Sequence, residues 1–424
     1  MSSKNCIRVF EYDKLRYTDN NVFEKHHLDA IIQFNERNKN QYFTPIYNGI
    51  QFGSYVGVIQ IGGLTIEILP KADKDSSYSK KQKDLWQGIL LDMLRVCKFI
   101  KVDKVSETKL NKRHNSILDI YLEMFLNEVE LLINRGLIKK YRRVQSNQKS
   151  LKGKLVFAQN ISKNLIHKER FYCEHQVYDI NHLLHDILFK ALIISDKLIK
   201  YTLKDKLKRI LFEFSDYKET NITTSHFAKV NLNRNSMPYN RAIEIAKMII
   251  LNYSPNLNSG KDNMLTLLFD MNKLWEEYIY RILTKFKGEG WKVNFQNSKQ
   301  FWNTKTIKPD IFITSPTKEN FIIDTKWKIV DASCPSDDDL KQMFSYNLRW
   351  ESERSMLLYP KVNQVDSKFG SYHYKDALKE SNKCKLGFVS VIEEGVKRKD
   401  EDIAKEVFRK LTTNNGSKQT AKSF

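Results

Sequence analysis

Cysteine is scarce in this chain and poorly placed for any structural use. The five present, Cys6, Cys97, Cys173, Cys334 and Cys384, are isolated, odd in number and free of any CxxC pair. That excludes a zinc ribbon, argues against a disulfide framework and fits a reducing cytoplasm. Glycine and proline are also few, which excludes collagen-like and low-complexity chains. No uncharged apolar run approaches the ~18 residues that cross a bilayer, and the opening MSSKNCIRVFEYDK lacks the apolar core of a signal peptide. The expectation is a soluble cytoplasmic protein with no membrane contact. A GxxxxGK[ST] run is missing too, so nothing here binds a nucleotide through a P-loop.

Acidic residues are outnumbered, 50 against 71 basic, for a formal net charge of +21. Such a field attracts polyanions, nucleic acid among them. A Lys-, Asn- and Ile-rich composition also follows from AT-rich coding sequence, so charge supports DNA contact without establishing it. What the chain does have is apolar residues at 41% and aromatics at 12%, over a length of 424 residues. That is more than one hydrophobic core usually serves, and two or three domains are expected.

The fold class expected is α+β and multidomain. Residues 1–78 read as β-rich: Gln41–Tyr47, Ile50–Ile61 and Leu64–Leu69 are β-branched and aromatic runs separated by Asn48-Gly49 and Gly62-Gly63, a three-stranded meander. A short helix over Phe23–Asn38 precedes them. The polar stretch 73–84 is a linker, and residues 79–255 form a mainly helical middle, with apolar spacing of three and four over Leu85–Phe99, Ser116–Leu137, His182–Tyr201 and Ala242–Leu251. Leu151–Leu155 reads as a turn between extended pieces. A second boundary falls at Ser254–Asp262. Residues 256–424 are expected to form an α/β domain with a central mixed sheet, opening on a helix over Met264–Phe286, and the tail Thr412–Phe424 is polar.

Chemistry concentrates in that last segment. Thr306–Thr314 (TIKPDIFIT) and Phe321–Val330 (FIIDTKWKIV) read as two strands joined by the turn SPTKEN. Side chains two apart in a strand share a face, so Asp324 and Lys326 point the same way. A hairpin returns Asp310 to that face. Carboxylates on an apolar strand pair are costly unless paired or bound to a cation. Mg²⁺ is the natural partner, taking carboxylates, a backbone carbonyl and waters. Such an ion neutralises charge on a phosphodiester and acidifies an attacking water, with a lysine to orient it. A lone D-x-K tripeptide is usually a solvated surface pair; Pro-Asp upstream and a hydrophobic strand leading in turn the reading toward a site. Upstream, Glu276 and Glu277 both flank the apolar stripe of Leu274, Trp275, Tyr278 and Ile282, and helical geometry does not choose between them. Downstream, Asp338–Trp350 is helical, with Gln342 and Tyr346 four apart on one face, and Ser355–Pro360 reads as a buried strand.

This order of helix acid, Pro-Asp, Asp-x-Lys strand and helix resembles the PD-(D/E)xK nuclease superfamily. LWEEYI, KPDIFI, IIDTKWK, DDLKQMFSYN and LLYP, with YNGIQFGSYVGVIQIGGLTIEILPK, RGLIKKY, LKGKL and YDINHLLHDIL further forward, resemble the McrC family more closely. Its members are the nuclease subunits of McrBC-type restriction systems, which serve phage defence. The likeness covers most of the chain; 72–82 and 200–235 do not align with it. By that resemblance Asp310 and Asp324 correspond to the metal-binding acids, with Thr325 a further ligand, and Lys326 to the catalytic lysine. Glu276 matches the helix acid, here after Trp rather than the usual Phe, and Gln342 matches a glutamine on the following helix. The resemblance implies a Mg²⁺-dependent endonuclease acting on double-stranded DNA. It also implies a McrB-like AAA+ GTPase ring as partner, engaged and stimulated through residues 1–78. A stand-alone DNA repair nuclease of the same superfamily and a non-catalytic DNA-binding or ATPase-activating adaptor are the alternatives.

Overall fold

The structure, a computed structural model, describes residues 5–71, 79–99, 116–199, 203–214, 217–254, 263–328, 330, 335–361, 365–373 and 382–413. Most of the second boundary, Ser254–Asp262, and nearly all of the tail lie outside the described residues. Contacts gather the chain into two compact units. One comprises residues 1–58, 64–104 and 268–424; the other comprises 59–63 and 105–267. The division therefore differs from the three consecutive segments that composition suggests. Polar linkers mark where the chain leaves an element, not which elements share a core.

In the first unit the N-terminal strands are β1 (Cys6–Phe10), β2 (Lys14–Arg16), β3 (Phe43–Ile46), β4 (Gly49–Phe52), β5 (Tyr55–Ile61) and β6 (Leu64–Leu69), with helix α1 (Lys25–Arg37) between β2 and β3. The expected meander is split. β3, β4 and β2 form one antiparallel sheet, while β6 pairs in parallel with β1, Phe10 opposite Leu69. The break falls at Gly53-Ser54, where the Gly53 N–H turns to the Tyr42 carbonyl and leaves the ladder. Ile50–Ile61 is thus two strands rather than one. Helix α2 (Lys80–Val96) starts inside the expected linker because Ser79 and Gln82 make a reciprocal capping box. It buries Trp86, Leu90, Met93 and Leu94.

The second unit is less helical than its apolar spacing suggests. Helices α3 (Ile117–Asn134), α5 (Leu183–Leu198) and α8 (Asn240–Leu251) carry its core, and α4 (Phe157–Asn164), α6 (Lys204–Phe212) and α7 (Thr224–Ala228) are shorter. Between α3 and α5 runs a long hairpin arm. Strand β7 (Lys140–Gln148) pairs throughout with β9 (Phe171–Asp179), and β8 (Lys154–Leu155) adds to β9. The expected turn at Leu151–Leu155 between extended pieces is there, but neither KYRRVQSNQ nor FYCEHQVYD has a buried apolar face, so their patterning does not give the length of the strands. Gly153 sits at φ +74° against the Glu174 carbonyl, where a Cβ would come within 2.4 Å. At the base of the arm, buried His185 meets the Ile180 carbonyl and the hydroxyls of Tyr217 and Tyr239, while Tyr239 accepts the Ile138 N–H. β10 (Tyr253–Ser254) and the first residues of β11 (Met264–Asp270) form an antiparallel pair.

β11 corrects the reading of one helix over Met264–Phe286. MLTLLFD is a strand, and Asp270 then caps helix α9 (Met271–Phe286) by accepting the Asn272 N–H. The C-terminal sheet has the order β12 (Lys292–Phe295), β15 (Ile311–Thr314), β16 (Asn320–Thr325), β17 (Arg354–Pro360), β19 (Lys383–Val389) and β18 (Gly370–Ser371). β13 (Lys299–Trp302) and β14 (Lys305–Ile307) form a separate hairpin. Thr306–Thr314 is not one strand, because Lys308-Pro309-Asp310 interrupts it; proline has no N–H for a ladder. The second strand stops at Thr325, short of Val330. The sheet is mixed, as expected: β15 and β16 are antiparallel, β16, β17 and β19 parallel. Ile322, Leu357, Leu386 and Phe388 pack against Met343, Tyr346 and Trp350 of helix α10 (Asp337–Trp350). Burying side chains of this size stabilises by about 2–3 kcal/mol each. The final helix, α11 (Asp400–Thr412), packs against β17, β19 and α9.

Candidate functional site

The hairpin register fixes the acids. Ile311 lies opposite Ile323, so one residue further back Asp310 comes level with Asp324. Asp310 Oδ2 accepts both the Thr325 N–H, at 2.7 Å, and the Thr325 hydroxyl, at 2.9 Å. Alternation along β16 puts Asp324 on the face of Ile322, and its carboxylate is buried. Lys326, just past the strand end, is held by its N–H to the Leu358 carbonyl, and its ammonium lies 2.9 Å from Asp324 Oδ2. That contact is an ion pair without hydrogen-bond alignment, and Asp324 Oδ2 has no hydrogen-bond partner among the described residues.

Glu276, on α9, joins the same cluster. Its Oε1 accepts Gln296 Nε2 at 2.7 Å, Gln296 Oε1 accepts Lys308 Nζ at 2.9 Å, and the Gln296 N–H binds the Asp310 carbonyl. Glu277 turns away and pairs with Arg281, four residues on. The choice left open by helical geometry therefore falls on Glu276. Gln342 also faces the centre: its amide donates to the Tyr346 hydroxyl, which donates to the Lys308 carbonyl. The structure thus brings Asp310, Asp324, Thr325, Lys326 and Glu276 together, with Gln342 at the margin.

Three residues here escaped the sequence reading: Gln296, Lys308 and Asp339. Asp339 sits at the third position of α10, where its N–H meets the Ser336 hydroxyl, and its carboxylate reaches Lys326 at 3.4 Å and Lys328 at 3.2 Å. The signal for it was the Ser336-x-x-Asp339 cap pattern, which fixes which of three successive aspartates turns inward.

The electrostatics of the cluster are unbalanced. Burial, then repulsion from Glu276, pushes the Asp310 carboxyl up; burial, then repulsion from Asp310, does the same to Asp324. Glu276 is raised as well, by burial and, against the Gln296 hydrogen bond, by Asp324. Burial opposes the charge on Lys326, but Asp324, Asp339 and Asp310 outweigh it and hold the ammonium fully protonated. Three mutually repelling buried acids, only partly offset by the Lys326 ammonium on Asp324, are what a hard cation relieves. Among the described residues no three His, Cys, Asp or Glu side chains are arranged to hold an ion by themselves. The donor set still suits Mg²⁺, which takes one or two carboxylates and fills the rest of its shell with a carbonyl and waters. Asp310, Asp324 and the Thr325 carbonyl are the residues available for it.

The fold is thus a mixed α/β unit that carries an acid–lysine cluster at the open end of the β15–β16 hairpin. The sequence model of the McrBC 5-methylcytosine restriction system component matches residues 50–360, and the chain belongs to that family. The expected membership on the McrC side stands. The chain is 23% identical over 259 residues to the type IV methyl-directed restriction enzyme EcoKMcrBC of Escherichia coli (strain K12), covering 59% of this chain and 72% of that protein. A chain in the solved assembly of Thermococcus gammatolerans McrB AAA+ hexamers with bound McrC shares its fold, with a TM-score of 0.68 at 18% identity over 96% of this chain and 100% of that one.

Proposed function

We propose that the chain is the McrC-like endonuclease subunit of a restriction system, cleaving double-stranded DNA with Mg²⁺ and stimulating a McrB-like AAA+ GTPase, in the cytoplasm. The observation that carries this reading is the convergence of Glu276, Asp310, Asp324 and Lys326 on one sheet end. Bound there by Asp310, Asp324 and the Thr325 carbonyl, Mg²⁺ would supply Lewis-acid neutralisation of the scissile phosphate and a more acidic water. Lys326, kept charged by its three acid neighbours, stabilises the negative charge that develops on the phosphate oxygens. Glu276 and its Gln296–Lys308 relay hold water on the open side of the cluster, and Gln342 with Tyr346 borders the approach of the DNA backbone. No helix among the described residues is long and apolar enough to cross a membrane.

The test is cleavage of plasmid DNA by the chain together with its GTPase partner and Mg²⁺. Asp324→Ala is expected to lower the rate about a thousandfold, the equivalent of about 4 kcal/mol of transition-state stabilisation, while ring binding and GTPase stimulation persist. Substantial cleavage by Asp324→Ala rejects the site.

Two surfaces compete for the ring. Residues 1–78 offer Tyr47, 85% exposed at the tip of β3–β4. The arm offers more: Phe157, Ile161, Leu165 and Ile166 are all exposed along and just after α4, and at the other end of the β7–β9 pair the tilted rings of Tyr141 and Tyr178 are exposed as well. A contiguous apolar face of this kind on one segment supports partner contact. Loss of GTPase stimulation in Ile161→Asp with retention in Tyr47→Ala places the coupling on the arm; the reverse places it on the N-terminal region.

A further inference from the structure

We propose that Glu11, far from the cluster in sequence, is a positioning residue for it: its buried carboxyl group holds the indole of Trp327 and thereby sets where Lys326 and Glu276 stand. The inference rests on the nuclease reading above. Regular pairing of β16 ends at Thr325, and among the described residues beyond it the Lys326 N–H to Leu358 alone continues the ladder. The segment bearing Lys326 therefore needs another anchor. Trp327 provides it: the residue is buried, its ring lies 5.1 Å from that of Trp275, and its indole N–H donates to Glu11 Oε1 at 2.5 Å. Trp275 directly precedes Glu276, so one aromatic contact fixes the neighbours of both the lysine and the helix acid.

Glu11 itself is rigidly placed. Its N–H binds the Leu69 carbonyl, continuing the β1–β6 pairing, and its Oε1 also accepts the Lys71 N–H at 2.7 Å. The side chain is fully buried, and Oε2 has no hydrogen-bond partner among the described residues. Leaving a carboxyl oxygen unsatisfied in the interior is costly, and an apolar residue at this position would avoid that cost. What an apolar residue lacks is an acceptor for the two converging N–H groups. Burial pushes the carboxyl up to about 8, against the hydrogen bonds from Lys71 and Trp327. At neutral pH it is therefore mainly a neutral acceptor, a task that glutamine can also perform.

The experiment compares Trp327→Phe, Glu11→Leu, Glu11→Gln and Asp324→Asn in the full chain with its GTPase partner. It reads single-turnover cleavage, KM for DNA, melting temperature, and Mn²⁺ affinity by calorimetry without DNA. Trp327→Phe keeps the aromatic packing and removes the donor. It is expected to lower kcat about tenfold, the scale of one lost hydrogen bond to a carboxyl group, with KM unchanged and Mn²⁺ binding weakened severalfold. Glu11→Leu behaves alike, and Glu11→Gln restores most of the rate. Wild-type kcat and Mn²⁺ affinity in folded Trp327→Phe overturn the proposal, even where Glu11→Leu fails to fold. If Asp324→Asn also cleaves normally, it is the nuclease reading that fails, and this inference falls with it.

Discussion

Two groups of buried charges flank the C-terminal sheet, and they are built on opposite terms. On α11, Glu406 meets Arg398 at 2.6 Å and Lys410 at 3.0 Å, and Lys410 also reaches Asp366 and the Phe388 carbonyl. Burial opposes ionisation of Glu406, but the two cations prevail and its carboxyl is held below the ordinary glutamate range. At the other group Glu276, Asp310 and Asp324 share the Lys326 ammonium, with Lys308 reached through Gln296, and all three carboxyls are still pushed up. Both clusters are buried acid–base networks, so burial and charge alone do not separate structure from function. The sign of the imbalance does. A network whose charges close on themselves stabilises the fold, whereas one left with excess acid is arranged for a ligand that brings positive charge.

Crossed substitutions break that comparison most severely. Glu406→Gln leaves Arg398 and Lys410 short of a counter-charge and is expected to lower unfolding free energy by about 2 kcal/mol, less than for a fully buried pair because the site is partly hydrated. The cleavage rate per folded molecule stays as it was. Asp324→Asn does the reverse: the rate falls about a thousandfold and the metal-free fold gains stability. Urea denaturation beside plasmid cleavage reads both. Equal losses of stability in the two variants erase the distinction.

A narrower contrast lies between adjacent residues. Glu276→Gln is expected to cost about a hundredfold in cleavage, within the usual range for a positioned acid–base group. Glu277→Gln loses its half-buried pair with Arg281, away from the cluster, and stays within about twofold of the wild-type rate. A larger effect at Glu277 than at Glu276 means the helix is turned the other way in the working complex.

That same pair shows where the sequence is legible and where it is not. Asp324 and Lys326 were readable because a strand has an exact period of two, and Asp310 because a short hairpin has little choice of register. A helix period of 3.6 gives no such certainty at the edge of an apolar stripe; the i,i+4 partner Arg281 was the available clue that Glu277 is engaged elsewhere. Strand–helix ambiguity misassigned Met264–Asp270, a short apolar run leading into a helix. Of the arm only the turn at Leu151–Leu155 between extended pieces was legible, because its strands bury no apolar face that would mark their length. Glu11 was beyond reach altogether, since its meaning is a contact with Trp327 across most of the chain. That contact also bears on any truncation that removes the N-terminal strands. Residues 5–58 and 64–71 share a unit with the C-terminal sheet, so such a truncation removes Glu11 and uncovers α2.

The smallest expected effect is on pH dependence, and it follows from the sign of each shift. Asp310 and Asp324 have folded pKa values raised from the usual range near 4 to about 6. Stability from a raised carboxyl is fully present below its unfolded pKa and is lost as pH rises through the folded value. Without metal, the fold should therefore weaken between about pH 4 and pH 7. Glu406, with a lowered pKa, contributes the opposite way: its stability is present above the ordinary glutamate value and is lost as pH falls through the folded one. The two clusters thus tilt the profile in opposite directions over different windows. Asp324→Asn removes one raised carboxyl and part of the repulsion on Asp310. It is expected to flatten the fall from pH 5 to pH 7 by about 1 kcal/mol, since one pKa unit corresponds to about 1.4 kcal/mol and the two acids share their shift. Saturating Mg²⁺ should flatten the wild-type profile in the same window, because a cation favours the ionised pair. Melting curves in EDTA and in Mg²⁺ across that range provide the check. A wild-type profile that runs parallel to that of Asp324→Asn, with or without the ion, removes the electrostatic argument for a cation at this end of the sheet.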